Sequence, residues 1–395
     1  MQHDQTDLLL GLASYCSGAI KRRKVDVVEE GDIQISDCKY LASYNWLRDQ
    51  RSTIVVPGSP NVLQDIDSIV PGSVQLQAEG DGGNQASARH AMFSPHILPL
   101  FAAVNLALVR RPAPHPPEPP FDWTAFHFIT DRSLLRQLHR WACAEKGLAF
   151  RIDVQLLGAE TVVMGRYKMD TVRYPRSFGS SFEDMFTRPA EGCENTATHH
   201  RIISYDMEGL KMVVRFEVDA YMQDPDAPAP PTPAPNTDQP ATPLEPDALR
   251  LSGYDLEIRC GGSWDVPQSA LVELKTTKAS TRPIWKRDYP QLFLSQTPHS
   301  YRAFHDAGAI MEVQHDTLDS LAVRGVHARN AEGLQKLRKA LEMIRREVVR
   351  LGKRGRQMSL VCQGGDLRLH YRATGALVPE GILDLAVANN LFEKI

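Results

Sequence analysis

The stretch Lys211-Met-Val-Val-Arg-Phe-Glu-Val-Asp-Ala-Tyr221 constrains the fold of this chain more than any other. Its alternation predicts a strand with Val214, Phe216, Val218 and Ala220 on the core face. Val213, Arg215, Glu217 and Asp219 share the opposite face. Carboxylates two residues apart on one face sit about 7 Å from each other along the strand and can converge on one cation. A second segment, Ala270-Leu-Val-Glu-Leu-Lys-Thr276, repeats the device: Glu273 and Lys275 share a face while Val272 and Leu274 point inward. Taken singly, either pattern is that of a solvated face on an amphipathic strand. Taken together they differ, because both segments are short and apolar on the other side, as central strands are. Two carboxylates 4 Å apart repel by about 4 kcal/mol at an effective dielectric near 20. Such a cluster therefore persists only if it is protonated, paired or bridged by a cation. Oxygen donors without a nearby Cys or His pair point to Mg2+ or Mn2+ rather than zinc. A lysine beside the metal glutamate can hold a phosphate oxygen or the attacking water.

The rest of the chain supplies the scaffold for these strands. Its 395 residues leave ample room for a core, and the reading is a single domain over 1–395. Arg111–Pro120 holds six prolines and Gln223–Ala248 nine, which predicts extended or disordered segments at 111–120 and 223–248. Leu134, Leu135, Leu138, Trp141 and Ala142 recur at helical spacing, and Leu334–Leu351 reads as a long helix. Phe150–Leu157 with Thr161–Tyr167, and His200–Asp206 with Leu210–Tyr221, read as hairpins turning at Gly158 and at Glu208-Gly209. Intermixed helices and strands predict an α/β fold, a mixed central β-sheet flanked by helices.

Six scattered cysteines without a CxxC pair read as reduced thiols of an intracellular chain. The apolar Ile97–Val109 run, broken by Pro99 and Asn105, is too short to span a bilayer. Lys21-Arg22-Arg23-Lys24 is either a nuclear localisation patch or a solvated run in a mobile N-terminal segment. A net charge of −3 excludes nucleic-acid binding through bulk charge. The distribution is less even: nine Lys and Arg against two Glu between Gln335 and Arg356 give a local +7. That helix face is either solvated or a wall for a nucleic-acid backbone. His199-His200 and the His299/His305 pair are not spaced as metal ligands, though His299 is near enough to the later motifs to line a phosphate path.

Glu-x-Asp followed by Glu-x-Lys is the signature of the PD-(D/E)xK nuclease superfold, so the expected core is PD-(D/E)xK nuclease-like. The flanking sequence narrows it. Between about Phe128 and Met311 the chain resembles the DXO-like decapping exoribonuclease family. The likeness is carried by Ile129-Thr-Asp-Arg-Ser-Leu-Leu-Arg136, Phe178-Gly-Ser-Ser-Phe-Glu-Asp184, Glu217-Val-Asp219, Glu273-Leu-Lys275 and Leu292-Phe-Leu-Ser-Gln-Thr-Pro-His299, in the family's order.

The resemblance implies a metal-dependent phosphodiesterase acting on the 5′ end of RNA, whether capped, triphosphorylated or NAD-capped, or digesting it 5′ to 3′. Glu217, Asp219 and Glu273 would hold Mg2+ or Mn2+, with the Leu274 carbonyl and with Glu183 directly or through water. Lys275 would orient the nucleophile or stabilise charge, and Arg132 and Gln296 would position substrate. It also implies a nuclear setting and a 5′–3′ exoribonuclease as a candidate partner. Two alternatives share these motifs: a PD-(D/E)xK nuclease acting on DNA, and a non-catalytic activating partner of an exoribonuclease.

Overall fold

The computed structural model describes residues 7–13, 18–26, 31–48, 52–78, 97–110, 121–167, 177–223, 249–251, 256–263, 266–352, 357–372, 377–378 and 392–394. The proline-rich segments, from 111 to 120 and from 224 to 248, lie outside them, as do Cys16 and the glycine-rich loop 80–84.

The expected hairpins form. Thr196–Met207 and Leu210–Val218 pair antiparallel around Glu208 and Gly209, whose φ angles of 50° and 83° give the left-handed two-residue turn that matches strand twist. Ala149–Leu157 and Thr161–Arg166 pair in the same sense. Phe128–Asp131 then joins Leu210–Val218 in parallel, and Ile35–Leu47 pairs antiparallel with Thr196–Met207. The result is a mixed sheet of 13 strands among the described residues.

Helices cover both of its faces. On one, Met212, Val214 and Phe216 pack with Leu134, Leu138 and Trp141 of the Arg132–Ala142 helix and with Leu334, Leu341 and Ile344 of the Val326–Leu351 helix. On the other, Val213 and Ile202 pack with Phe101 and Val104 of the Leu98–Arg110 helix. The alternation therefore does not separate core from solvent, as read from sequence, but one core from another. Each fully buried Val, Leu or Phe here contributes about 1.5–3 kcal/mol. Among the described residues no helix is long and apolar enough to cross a membrane.

A second sheet of six strands holds Leu271–Lys278 between Ala220–Tyr221, antiparallel, and His299–Asp306, parallel. Its own core contains Val272, Leu274, Tyr301 and Phe182. The expected strand Leu210–Tyr221 is thus two strands. Leu210–Val218 belongs to the large sheet and Ala220–Tyr221 to the small one, and Asp219 is the single residue at the crossing.

Four cations of the long helix are paired within the chain. Lys336 pairs with Glu332 at 2.8 Å and Asp26 at 3.3 Å, Arg338 with Glu342 at 2.8 Å, and Arg350 with Glu347 at 2.7 Å. Arg345 pairs with Glu160. Lys339 and Arg346 form no ion pair among the described residues, and Lys353, Arg354 and Arg356 lie outside them, so the pairs cover part of the basic stretch. The Lys21–Lys24 run is also tethered, Lys21 meeting Asp366 at 3.0 Å ahead of a short turn at Arg22–Lys24.

Candidate active site

Where the two sheets meet, the carboxylates come together. Asp219 has left the ladder of the large sheet, and its Oδ2 accepts the Leu274 N–H at 2.8 Å. The register that sets Ala220 opposite Val272 carries Asp219 toward Glu273. Glu217, on the last turn of the pleat before the crossing, keeps solvent access although protein surrounds it. Glu183 lies half-buried on the Gly179–Phe186 helix, which packs Phe182 into the small sheet's core beside Val272 and Leu274.

Electrostatics confirms that these groups are neighbours. Burial pushes the Asp219 carboxyl well above its usual range, and the charges of Glu273, Glu183 and Glu217 add to the push. Burial raises Glu217 too, against the pull of Arg132. Burial alone would also raise Glu273, but Lys275 and Arg132 outweigh it and hold that carboxyl below its usual value.

Glu273 is buried and held by three side chains. Lys275 Nζ donates to its Oε1 at 2.9 Å and Arg132 Nη1 to its Oε2 at 3.3 Å. The Gln291 amide also donates to Oε1, while Gln291 Oε1 accepts from Lys275 Nζ at 3.2 Å. Arg132 further donates to Ser295 Oγ at 3.2 Å. Behind Arg132, a bidentate pair locks the start of its helix. Arg215 Nε and Nη2 reach Asp131 Oδ1 and Oδ2 at 2.7 and 2.9 Å, and Arg215 Nη1 reaches the Tyr44 hydroxyl at 2.9 Å. Arg215, read from sequence on the same face as Glu217, is therefore a support for Arg132.

Of the residues read from sequence, Arg132 and Lys275 contact Glu273 directly and Asp219 bonds the Leu274 N–H, while Glu183 and Glu217 lie near enough for their charges to act on Asp219. Gln296 does not join them. It caps the C-terminus of the Trp285–Ser295 helix at φ 50°, and its amide donates to the Phe293 carbonyl at 2.6 Å. The glutamine between Glu273 and Lys275 is Gln291, five residues earlier. Its signal was helical spacing: Asp288, Gln291 and Ser295 share one stripe of that helix. The histidines stay apart, His199 bonding Asn45 at 2.6 Å and His299 bonding His315 at 3.0 Å. His299 Nε2 also donates to the Ser269 carbonyl at 3.0 Å.

Among the described residues no three His, Cys, Asp or Glu side chains are already gathered as ligands of a metal ion. The chemistry of the donors nevertheless suits a hard cation. All four are carboxylates, and acidic neighbours add to the burial that raises Asp219 and Glu217. A divalent ion reverses that repulsion.

The sequence profile of a family described as "Domain of unknown function (DUF8563)" matches residues 25–360. No curated protein matches the sequence. Among solved structures, the chain is similar to S. pombe Rai1 in complex with 3'-FADP, at 14% identity and a TM-score of 0.57, covering 90% of this chain and 99% of that one. It is also similar to Candida albicans Rai1 in complex with pU5-Mn2+, at 11% identity and a TM-score of 0.60, covering 93% and 98%. K. lactis Dxo1 in complex with manganese gives 9% identity, a TM-score of 0.54, and coverage of 92% and 99%. At these identities the likeness establishes the fold.

Proposed function

The chain belongs to the family of the domain of unknown function DUF8563, and from its site we propose that it is a divalent-metal-dependent phosphodiesterase acting at the 5′ end of RNA. The observation that carries this reading is the crossing at Asp219, which sets a carboxylate cluster against Glu273, Lys275 and Arg132. Support comes from the neighbours in fold, which include Rai1 bound to pU5-Mn2+ and to 3'-FADP.

Glu217, Asp219 and Glu273 would hold Mg2+ or Mn2+, with Glu183 and the Leu274 carbonyl completing the donor set. When bound, such an ion supplies Lewis acidity, neutralising phosphoryl charge and making water a better nucleophile at neutral pH. The chain's own residues do the positioning. Lys275, held between Glu273 and Gln291, presents an ammonium to a phosphoryl oxygen or to the attacking water. Arg132 reaches the same place from the opposite side, fixed by Ser295 and by the Asp131–Arg215 pair behind it. Gln291 fixes the lysine and the Glu273 carboxylate relative to each other.

The test is a panel of 5′-capped, 5′-triphosphate and NAD-capped RNAs with Mg2+ or Mn2+, resolving the product released. Glu217→Ala and Glu273→Ala should each abolish hydrolysis while the far-UV spectrum is kept. Full activity of both variants would overturn the reading. Hydrolysis of duplex DNA with none of any modified RNA end would move it to a DNA nuclease.

A further inference from the structure

We infer that Arg136 binds a second phosphate of the substrate, adjacent to the one held at the carboxylates. The inference deepens the reading above and rests on it. Arg136 stands one turn beyond Arg132 on the Arg132–Ala142 helix, so the two side chains leave one face about 6 Å apart. It lines an open cleft of about 380 Å³ with Lys275, Arg287, Asp288, Gln291 and Arg302.

That lining carries four cations against the single carboxylate of Asp288. Three of the four have partners: Lys275 meets Glu273 at 2.9 Å, Arg302 meets Asp288 at 2.9 Å, and Arg287 meets Asp288 at 3.2 Å. Arg136 makes no hydrogen bond or ion pair among the described residues. Burial, then the nearby charge of Arg132, pushes its pKa below the usual arginine value. A half-buried guanidinium with no direct partner, drawn only at a distance by Glu273 and Asp288, is costly to the fold. Nothing in the packing of the helix requires it, since Leu134, Leu135 and Leu138 make the core contacts. Its planar fork is suited to two oxygens of one phosphate, which a lysine at this place would not match. The cleft therefore favours a substrate with at least two consecutive phosphates, either a polyphosphate end or the next diester of an oligonucleotide.

The test is equilibrium binding of the full chain to 3′-fluorescein-labelled pentauridylates bearing a 5′-hydroxyl, 5′-monophosphate or 5′-triphosphate, in Ca2+, across a salt series. Arg136→Gln should weaken binding on the order of tenfold. It should also lower the slope of log affinity against log salt by about 0.7, one phosphate contact on a single strand. Arg136→Lys should keep the slope and recover only part of the affinity. The melting temperature of Arg136→Gln should equal or exceed that of the unaltered protein, which a structural arginine would not allow. A loss confined to the triphosphate probe assigns the second phosphate to a polyphosphate end, and an equal loss on the mono- and triphosphate probes assigns it to the next diester. Unchanged affinity and slope in Arg136→Gln, with the unaltered protein binding normally, would overturn this inference alone. Absence of salt-dependent binding by the unaltered protein to any probe would overturn the functional reading with it.

Discussion

Two glutamines five residues apart do different things because one lies on the helix and the other ends it. Gln291 shares a stripe with Asp288 and Ser295 and bonds both Lys275 and Glu273. Gln296 sits at φ 50°, with its amide returned to the Phe293 carbonyl. Gln291→Ala should therefore lower kcat on a 5′-modified RNA by about 100-fold, the usual scale for losing one positioned polar group. Gln296→Gly should keep kcat within about twofold, since glycine takes a left-handed conformation freely. Its melting temperature should match or exceed that of the unaltered protein. Steady-state kinetics and melting curves on both variants check the pair. A kcat loss in Gln296→Gly with full activity in Gln291→Ala would return the catalytic role to Gln296.

At the scale of elements, the site depends on how the Arg132–Ala142 helix is seated, and one glycine of the long helix sets that distance. A Cβ on Gly333 would stand 2.6 Å from His139 Nε2 and 3.0 Å from Cys143 Sγ, both on or just beyond the helix that carries Arg132 and Arg136. Alanine ordinarily gains about 1 kcal/mol over glycine in a helix interior. Here overpacking, about 1–3 kcal/mol, should win, so Gly333→Ala should unfold at lower urea with an unchanged m-value. Adding His139→Ala should restore part of the loss, a non-additivity expected only of residues in contact. Two helices, Arg132–Ala142 and the long one from Leu334 onward, and both hairpins were legible in the sequence because their signals are local: 3.6-residue spacing in one case, alternation and a turn at Glu208-Gly209 in the other. The crossing at Asp219 was not. Alternation runs unbroken from Lys211 to Tyr221, and the change of partner is decided by remote strands, Thr196–Met207 before Asp219 and Leu271–Lys278 after it. The second core was hidden for the same reason, since Val213 finds Phe101 and Val104 only in three dimensions. Glu217, Asp219, Glu273 and Lys275 were legible from spacing and Glu183 from the resemblance, whereas Arg136 needed the helices to be placed side by side.

Across the whole molecule, charge is sorted by sheet and helix rather than by sum. A net −3 coexists with a cleft lined by four cations and one carboxylate, while Lys336, Arg338, Arg345 and Arg350 of the long helix are paired with Asp26, Glu160, Glu332, Glu342 and Glu347. Asp219 at the crossing opposes folding while its charge is unneutralised, and this has a pH sign. Burial and its acidic neighbours raise Asp219 in the folded state, so the folded chain holds that proton more tightly than the unfolded chain. Its contribution to stability is complete below the ordinary aspartate range and is lost as pH rises through the raised value. Asp219→Asn keeps an acceptor for the Leu274 N–H and removes the charge. In EDTA it should melt higher than the unaltered protein at pH 7, with the gap closing at pH 4. Mn2+ should raise the melting temperature of the unaltered protein with concentration, approaching about 2.7 kcal/mol of stabilisation at one hundred times the dissociation constant. It should leave Asp219→Asn nearly unmoved. Scanning calorimetry across those conditions separates the two ideas: equal melting in EDTA denies that Asp219 is strained, and an equal Mn2+ response in both proteins denies that it binds the ion.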